Sequence, residues 1–521
     1  MKKYKYLLIF AFVILTLGGC NDDEFLSLKT PLEKPWNSLQ EFDKAAIGAY
    51  QKAFLSDWHN VQTTSVLLKS FQSDEVQLLP GSIGAIPFAI MYPRQSKQDI
   101  DKTSHIFRYA YQVIAICNGA LDYLEKGGGN PFSNLTQADI DNNLKRIKGE
   151  LLFMRAFSYY RLSQVFIPPY ESAGPNSDKI LPWKINLNES AEAQVKTELA
   201  TTQMVYDQMV KDLQEAKSLL PEAFSASVHF ASYKYGRANK YAAASLLGKV
   251  YFAMGKSAES IAELDFVINS GKYDLSEEPL AAFQKYKTAD AGKETIWYAY
   301  TGNTDYGGWQ MAELTSICLQ MPNNGNFARC SWNQLTFSYS TLKNIGWMTD
   351  PKNGDFSLTP EALADKRLGS TYTMTTGKDQ YWGMVTTPQI WCDKYFNGDA
   401  SKNIEGQNLN IPIIRLAELY LTRSWLKFKA NDLAGATSDL NVVRNRAGIG
   451  NLGHAITADD IINERIKEMF MEGDRTDFLR AAHLDIPPGD REGVAVQPYN
   501  TQDLIWALPK LSETDINQAY Q

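Results

Sequence analysis

The chain contains little cysteine and histidine, with five of each among 521 residues. Four cysteines lie beyond the N-terminal segment, and their scattered spacing fits no zinc site; they are Cys117, Cys318, Cys330 and Cys392. Cys318 and Cys330 either form a disulfide in an oxidising compartment or stay as buried thiols, and the second interpretation is favoured. Since no two histidines lie four residues apart, the sequence argues against a histidine-rich metal site, and no metal-binding residues are predicted; whether a structural metal is present stays open.

An excess of positive charge and the common catalytic motifs are also lacking. The formal net charge of -7 argues against nucleic-acid binding, which needs a basic face. The chain has no G-x-S-x-G, no H-E-x-x-H and no glycine-rich dinucleotide motif, and Gly255–Ser257 lacks the upstream glycine of a phosphate loop. We therefore expect no enzymatic activity and no cofactor. A helical glycoside hydrolase stays an alternative. Its two catalytic carboxylates must lie close together in the folded protein, and the sequence does not exclude such a pair.

Long apolar runs are absent after the first twenty residues. Within these, a basic start precedes the apolar run Tyr6–Leu17, whose helix of about 18 Å is too short for a bilayer core of about 30 Å. This pattern is typical of a secretory signal. The ending Leu17–Cys20 resembles the bacterial lipobox, which implies cleavage before Cys20 and lipid attachment to its thiol. We predict a signal peptide over 1–19 and an acidic tether over 20–35; a buried N-terminal helix is the alternative.

Most of the remaining chain shows helical periodicity. It predicts helices over 149–166, 202–220, 239–275 and 412–446. The last two segments share the spacing of tetratricopeptide-like hairpins, in which small residues let two helices approach closely. That spacing involves Leu247, Gly248, Tyr251, Ser260, Leu264 and Val267 in one hairpin, and Leu421, Trp425, Ala436, Leu440 and Val443 in the other. The predicted fold is mainly α, with hairpins forming a superhelix from helical parts over 36–275 and 411–521.

Between these helical parts, residues 276–410 form a predicted irregular, loop-rich insertion. Gly-Gly and Asn-Gly turn signals separate segments rich in Thr, Tyr and Trp, which favours a few short strands. Ile296–Tyr300 is the best strand candidate. An irregular stretch of this length within a compact protein is either functional or disordered, and its aromatic content argues against disorder.

Several short sequence blocks follow one another along nearly the whole chain. They are the lipobox at Cys20, Ser73–Glu75, Glu150–Phe166, Ala242–Leu275, Ile414–Leu421, Asn463–Arg465, Glu472–Arg475, and Leu508–Pro509 with Glu513 and Asn517. In this order they resemble the SusD/RagB family, surface lipoproteins that partner TonB-dependent outer-membrane transporters in Bacteroidetes. The acidic Asn21–Glu24 looks like the export signal of such lipoproteins. Ile167–Tyr170 departs from the family pattern, which often has Gly before the Pro, and this affects only the local loop shape.

The resemblance implies a non-enzymatic protein, anchored by lipid to the outer membrane and facing outward from the cell. It would capture oligosaccharide and deliver it to a TonB-dependent transporter, with the helical repeats against the transporter and the irregular part carrying the ligand site. A peptide-binding relative of the same architecture is the first alternative, since some family members take peptides. The helical glycoside hydrolase is the second.

Aromatic and polar side chains of two irregular stretches, residues 76–105 and 300–347, are the candidates for contacting sugar. Tyr and Trp offer flat faces to C–H groups, while Asn, Asp and Arg pair with hydroxyls. The candidate ligand-binding residues are Asp74, Tyr92, Arg94, Tyr306, Trp309, Trp332 and Asn333, with Phe88, Tyr339 and Trp347 as further aromatics. For each aromatic residue, the competing interpretation is packing against the helices. For Asp74, the competing interpretation is a helix-capping role or a structural ion pair. Glu472 and Arg475 are predicted to form a structural ion pair.

Overall fold

The structure of this protein is a computed structural model, and it is mainly helical. It describes residues 36–55, 60–78, 91–94, 101–186, 198–283, 293–300, 314, 320–323, 326–329, 335–349, 357–375, 378–379, 383–384, 389–395 and 410–509. Its helices are α1 (Leu39–Phe54), α2 (Val61–Gln72), α3 (Asp101–Lys126), α4 (Gln137–Asp139), α5 (Lys145–Phe166), α6 (Thr202–Leu219), α7 (Lys240–Ala253), α8 (Ser257–Ile268), α9 (Tyr339–Asn344), α10 (Pro360–Ala364), α11 (Leu416–Lys429), α12 (Leu433–Arg446), α13 (Ala458–Met469) and α14 (Arg475–Ala481). Among the described residues, no helix has both the length and the apolar character needed to cross a bilayer.

The strands are short, as the composition of the insertion predicts. They are β1 (Val76–Leu78), β2 (Lys179–Pro182), β3 (Leu199–Thr201), β4 (Thr295–Ala299), β5 (Gln320–Asn323), β6 (Asn326–Arg329), β7 (Leu335–Phe337), β8 (Met348–Thr349), β9 (Ser357–Leu358), β10 (Tyr372–Thr375), β11 (Lys378–Asp379), β12 (Gly383–Met384), β13 (Gln389–Cys392) and β14 (Ile411–Arg415). Four of them form one antiparallel sheet in the order β1-β7-β13-β10, and the other described strands pair two by two. The predicted fold class is confirmed.

Both predicted tetratricopeptide-like hairpins are present, as α7 with α8 and α11 with α12. In each hairpin a serine hydroxyl crosses to a backbone carbonyl of the partner helix, Ser260 to Gly248 and Ser424 to Ala436, both at 2.8 Å. These bonds form where small residues let the helix axes come close. The first helix of the second hairpin begins at Leu416, later than predicted, because 411–415 is the strand β14.

Helix α5 is the centre of the N-terminal helical part, and nearly all of its residues are buried. Trp297 of β4 packs edge-on against two of its aromatic rings, with ring centroids 4.7 Å from Phe153 and 4.9 Å from Phe157. The indole of Trp297 also donates a hydrogen bond to the Gly236 carbonyl at 3.1 Å. The predicted strand over 296–300 is therefore confirmed as β4, and it is fixed to the helical core by its central tryptophan.

A network of buried charges joins the C-terminal helices to β4 and β14. The Arg415 guanidinium contacts Glu294 at 2.6 Å, Glu468 at 3.0 Å and Glu472 at 2.6 Å. Arg446 bonds to both Glu294 and Glu468. Burial alone would lower the pKa of Arg415, but the three carboxylates outweigh it and raise the pKa well above its usual value. Each charge in this network therefore has an opposite partner, as buried charges require.

Candidate functional site

The structure describes three of the predicted ligand-binding residues, namely Asp74, Tyr92 and Arg94. The other four, together with Phe88, lie outside the described residues; they are Tyr306, Trp309, Trp332 and Asn333. Cys20, the signal peptide, the tether and the pair Cys318 and Cys330 lie outside them as well. Cys117 and Cys392 are buried free thiols, and burial raises the pKa of Cys117 to about 12.

Described residues of the two stretches predicted to carry the ligand site, those of β1 and β7, are neighbours in space. Strand β1 pairs with β7 so that Val76 lies opposite Phe337. On this sheet Gln77 and Thr336 both donate hydrogen bonds to the side-chain oxygen of Gln389, at 2.6 and 3.0 Å. The amide nitrogen of Gln389 in turn donates to the hydroxyl of the half-buried Tyr339. A polar row therefore links residues of the first stretch to residues of the second.

Asp74 lies at the start of this sheet, between α2 and β1, and its carboxylate makes an ion pair. Nε and one Nη of Arg475 each donate to one carboxylate oxygen of Asp74 at 2.8 Å. Burial raises the pKa of Asp74, but Arg475 outweighs this effect, and the pKa lies below its usual value. The structural ion pair that competed with a ligand role is thus present, and Asp74 is only 5% exposed. Arg475 pairs with Asp74, so its predicted pairing with Glu472 is wrong; Glu472 bonds instead to Arg415 and Lys394.

Glu75, beside Asp74, is a buried carboxyl group that has no ion pair among the described residues. Among the described residues its carboxyl group accepts one long hydrogen bond, from the backbone N–H of Met471 at 3.4 Å. Burial, with Asp74 nearby, raises the pKa of Glu75 well above its usual value. Glu75 therefore retains its proton at pH values at which exposed glutamates have ionised.

The turn Met91–Arg94 carries the other two described candidates, and Arg491 holds it in place. Nε of Arg491 donates to the Tyr92 carbonyl at 2.6 Å, and the guanidinium lies 4.0 Å from the centre of the Tyr92 ring. One Nη of Arg491 donates to the Phe71 carbonyl at 2.6 Å, at the end of α2. The flat ring of the half-buried Tyr92 is thereby fixed in orientation by a cation–π contact.

The segment Gly489–Arg491 joins both stretches, and the sequence interpretation missed it. Asp490 accepts hydrogen bonds from the backbone N–H groups of Tyr339 and Ser340, the latter at 3.1 Å. Gly489 has φ +64°, and a Cβ there would lie 2.4 Å from the Asp74 carbonyl oxygen, so only glycine fits. The signal available in the sequence is the turn-forming Pro-Pro-Gly-Asp run.

Arg94 is nearly completely buried, being 1% exposed, and has the left-handed φ of 57°. Its Nε donates to the Gln72 carbonyl at 2.7 Å, next to the carbonyl that Arg491 contacts. Burial and the nearby Arg491 lower the pKa of Arg94 to about 9. Within the described part of the chain, Nη1 and Nη2 of Arg94 have no hydrogen-bond partner, nor has the side-chain amide of Gln72.

Trp347, one of the further aromatic candidates, is a core residue. It is 0% exposed and packs between Phe337 and Tyr372, with ring centroids 5.7 and 5.8 Å away. Its place directly after a short helix and before β8 turns the ring inward, toward the four-stranded sheet. The prediction that Trp347 contacts ligand is therefore wrong, and the competing interpretation of packing applies.

A cleft of about 980 Å³, its open mouth included, is lined by residues of α2, α5, α6, α7, α11, α13 and α14, and the lining includes none of the candidate ligand-binding residues that the structure describes. Charged side chains line it, but most are paired with one another: Arg465 contacts Asp474 at 2.6 Å, and Lys249 contacts Glu418 at 2.5 Å. These pairs satisfy the charges that the crossing helices bury. Among the described residues, no group of three or more His, Cys, Asp or Glu converges to hold a metal ion.

Relatives of this chain are found over its full length. SusD-like protein P2 of Formosa agariphila is 24% identical over 98% of this chain and 96% of its own. The starch-binding protein SusD of Bacteroides thetaiotaomicron is 32% identical over 17% of this chain and 16% of its own.

Solved structures of SusD-superfamily proteins have the same fold. One from Bacteroides vulgatus matches with a TM-score of 0.71 at 17% identity, covering 93% of this chain and 98% of its own. Surface glycan-binding protein A of Bacteroides thetaiotaomicron, solved with laminarihexaose, matches with a TM-score of 0.66 at 17% identity, covering 92% and 97%.

Two family profiles match separate parts of the sequence. Residues 37–252 match the family described as starch-binding and associating with the outer membrane, and residues 365–483 match the SusD family. Together the two matches span more than half of the chain, in the order that the sequence blocks predict. The chain therefore belongs to the SusD/RagB family.

Proposed function

We propose that this protein binds oligosaccharide at the cell surface and delivers it to a TonB-dependent outer-membrane transporter, without chemical change to the sugar. The observation that carries the proposal is the joining of the two candidate stretches through β1 and β7. Half-buried Gln77 and Tyr339 flank the buried Thr336 and Gln389 there, and the segment Gly489–Arg491 connects Tyr339 to the half-buried Tyr92. A flat ring beside hydrogen-bonding groups is the combination that a sugar requires.

The candidate residues outside the described part of the chain extend this proposal. Tyr306, Trp309, Trp332 and Asn333 belong to the stretch that precedes β7. We propose that they add stacking surface beside Tyr92. Two or three stacked rings with hydrogen bonds give millimolar to micromolar dissociation constants, about -4 to -8 kcal/mol. Such affinity suits a protein that must release its cargo.

Relatives support glycan as the cargo and the outer membrane as the place. A family matched by this chain is described as starch-binding and associating with the outer membrane, and surface glycan-binding protein A was solved with a glucan hexasaccharide, laminarihexaose. In our proposal, lipid on Cys20 holds the protein at the outward face. Each buried CH₂ of such a lipid contributes about 0.8 kcal/mol to membrane binding.

Affinity electrophoresis in gels containing polysaccharide tests the proposal. Trp309→Ala, Trp332→Ala and Tyr92→Ala should each reduce retention by about fivefold or more, corresponding to a loss of about 1 kcal/mol or more per stacked ring. The melting temperature of the two tryptophan variants should stay unchanged. Tyr420→Ala, on the helical hairpin, is the matched control and should be retained like the parent protein. Unchanged retention of all three variants would remove the proposed site, and binding of peptides alone would favour the peptide-binding alternative.

A further inference from the structure

Two arginines beside Tyr92 have no carboxylate partner among the described residues, and together they form a small cationic corner. Arg94 and Arg491 donate to consecutive carbonyls, those of Gln72 and Phe71, at the C-terminal end of α2. Carbonyl oxygens at a helix C-terminus attract cations. This accounts for the position of both guanidinium groups, but it satisfies only part of their hydrogen-bonding capacity.

Every nitrogen of the Arg491 guanidinium donates a hydrogen bond, whereas only one nitrogen of the Arg94 guanidinium does so among the described residues. Arg491 also donates to the carbonyls of Tyr92 and Pro488. Arg94 makes a single side-chain bond, through Nε, and its two Nη atoms have no partner in the described part of the chain. A buried guanidinium with unpaired N–H groups loses hydration without compensation. Its fork of donors matches a planar carboxylate or a sulfate.

The carboxyl groups that lie near this corner are engaged elsewhere. Asp74 gives both oxygens to Arg475, and Asp490 gives both oxygens to backbone N–H groups of α9. Glu75 is buried, and burial raises its pKa, which favours the neutral form of the carboxyl group. Neither Arg94 nor Arg491 therefore forms an ion pair with a carboxylate among the described residues, although Asp74 attracts both guanidinium groups and Asp490 attracts that of Arg491 at longer range.

We propose that Arg94, Arg491 and Gln72 form a subsite for an anionic group of the glycan, either the carboxylate of a uronic acid or a sulfate ester. Arg94 binds the anion through its free Nη atoms, and the unpaired amide of Gln72 pairs with a neighbouring hydroxyl. Tyr92, held by Arg491, lies against the ring of the same sugar. The inference rests on the proposed function and narrows the cargo to an acidic polysaccharide.

The net charge of the chain does not oppose this inference. Charges more than about 8 Å apart in physiological salt are largely screened from each other when they are exposed, whereas buried groups are screened much less. The net charge of -7 is spread over the whole molecule, while Arg94 and Arg491 lie within one buried corner, at 1% and 6% exposure. The local positive charge therefore decides the interaction with a bound sugar.

Matched pairs of polysaccharides test the inference on the full-length lipoprotein in detergent. Polygalacturonate is compared with its carboxyl-reduced form, and a carrageenan with its desulfated form, by affinity electrophoresis in 0.15 M salt. We expect one charged form to be retained at least about tenfold more strongly than its neutral counterpart. The pair that shows the difference tells whether the anion is a carboxylate or a sulfate.

Variants connect the effect to Arg94. Arg94→Met should abolish the preference for the charged form, and Arg94→Lys should keep part of it. Arg108→Met is the control, because Arg108 also lies over a tyrosine ring, 4.9 Å from the centre of Tyr109, but on the exposed face of α3. The comparison in the parent protein needs no variant, so it decides the matter even where Arg94→Met does not fold.

The outcomes separate the two proposals. Equal retention of charged and neutral forms in both pairs overturns the anionic subsite and leaves glycan binding in place. A preference for a charged form that persists in folded Arg94→Met also overturns it. Retention on none of the polysaccharides, neutral laminarin and starch included, overturns both the subsite and the proposed function.

Discussion

Adjacent acidic residues in this protein have opposite pKa shifts because only one of them has a cation. Asp74 is paired with Arg475, so its pKa lies below the usual value of 3.8 despite burial. Glu75 is equally buried, but Asp74 and Asp474 repel its charge, and its pKa lies well above the usual 4.5. Two carboxyl groups in one sequence motif therefore make opposite contributions to the pH dependence of stability.

The raised pKa of Glu75 gives a testable pH dependence. Well below pH 4.5 Glu75 is protonated in both the folded and the unfolded state, so its ionisation does not change the free energy of unfolding there. As the pH rises above 4.5, the unfolded state ionises first, so Glu75 destabilises the folded protein increasingly until its folded pKa is passed. Glu75→Gln removes this effect, and its melting temperature should exceed that of the parent protein by an amount that grows as the pH rises above 5.

Differential scanning fluorimetry across this pH range measures the difference. Glu277→Gln is the control, because Glu277 is exposed in the folded protein. A constant or shrinking difference between Glu75→Gln and the parent at rising pH would contradict the assignment of a protonated Glu75.

At the scale of single elements, periodicity predicts the helical hairpins well because their contacts are local. Leu264 follows Gly248 by sixteen residues, and the two meet across one turn, so the repeat spacing contains the information. The pairing of β1 with β7 is different, because it joins Val76 to Phe337 across more than two hundred residues. Short strands have no period long enough to specify a partner.

The same reason explains which parts of the candidate site could be predicted. Tyr92 and Arg94 could be predicted as candidates because they are an aromatic and a charged residue in a segment without helical periodicity. Trp347 has the same residue type and the same kind of surroundings in the sequence, yet it packs in the core at 0% exposure. Arg491, nearly four hundred residues after Tyr92, was not recognisable, because its role depends on backbone carbonyls that any residue could provide.

The close crossing of α7 and α8 makes Gly248 a position at which added volume is destabilising. A Cβ at Gly248 would lie 3.2 Å from Leu264 Cδ2 and 3.4 Å from Glu263 Cβ. Gly248→Val adds two further carbons and should lower the free energy of unfolding by about 1–3 kcal/mol. Gly119, in α3, has no atom within 4 Å of the same position. Gly119→Val should therefore change stability by less than about 0.5 kcal/mol. Urea unfolding compares the two, and equal effects would show that the crossing tolerates a larger residue.

At the scale of the whole molecule, charge rather than apolar packing alone holds the irregular part to the C-terminal helices. Glu294 comes from the segment before β4, Arg415 from the end of β14, and Glu468 from α13. The exposure of these three side chains is between 0 and 3%. Hydrophobic contacts tolerate sliding, whereas hydrogen-bonded ion pairs fix orientation. The network therefore determines how β4 and β14 lie against the helical repeats.

Removing the central cation of this network should destabilise the entire protein. Arg415→Met leaves Glu294, Glu468 and Glu472 with fewer cations in a buried environment, and the free energy of the main unfolding transition should fall by about 3–5 kcal/mol. Lys293→Met is the control, because Lys293 and Asp274 form an exposed pair at 3.4 Å, whose loss should change stability by less than about 0.5 kcal/mol. Urea unfolding at low and high salt measures both variants. A loss below about 1 kcal/mol for Arg415→Met would show that the remaining arginines redistribute to satisfy the carboxylates. The orientation of β4 would then have to come from the packing of Trp297 on α5.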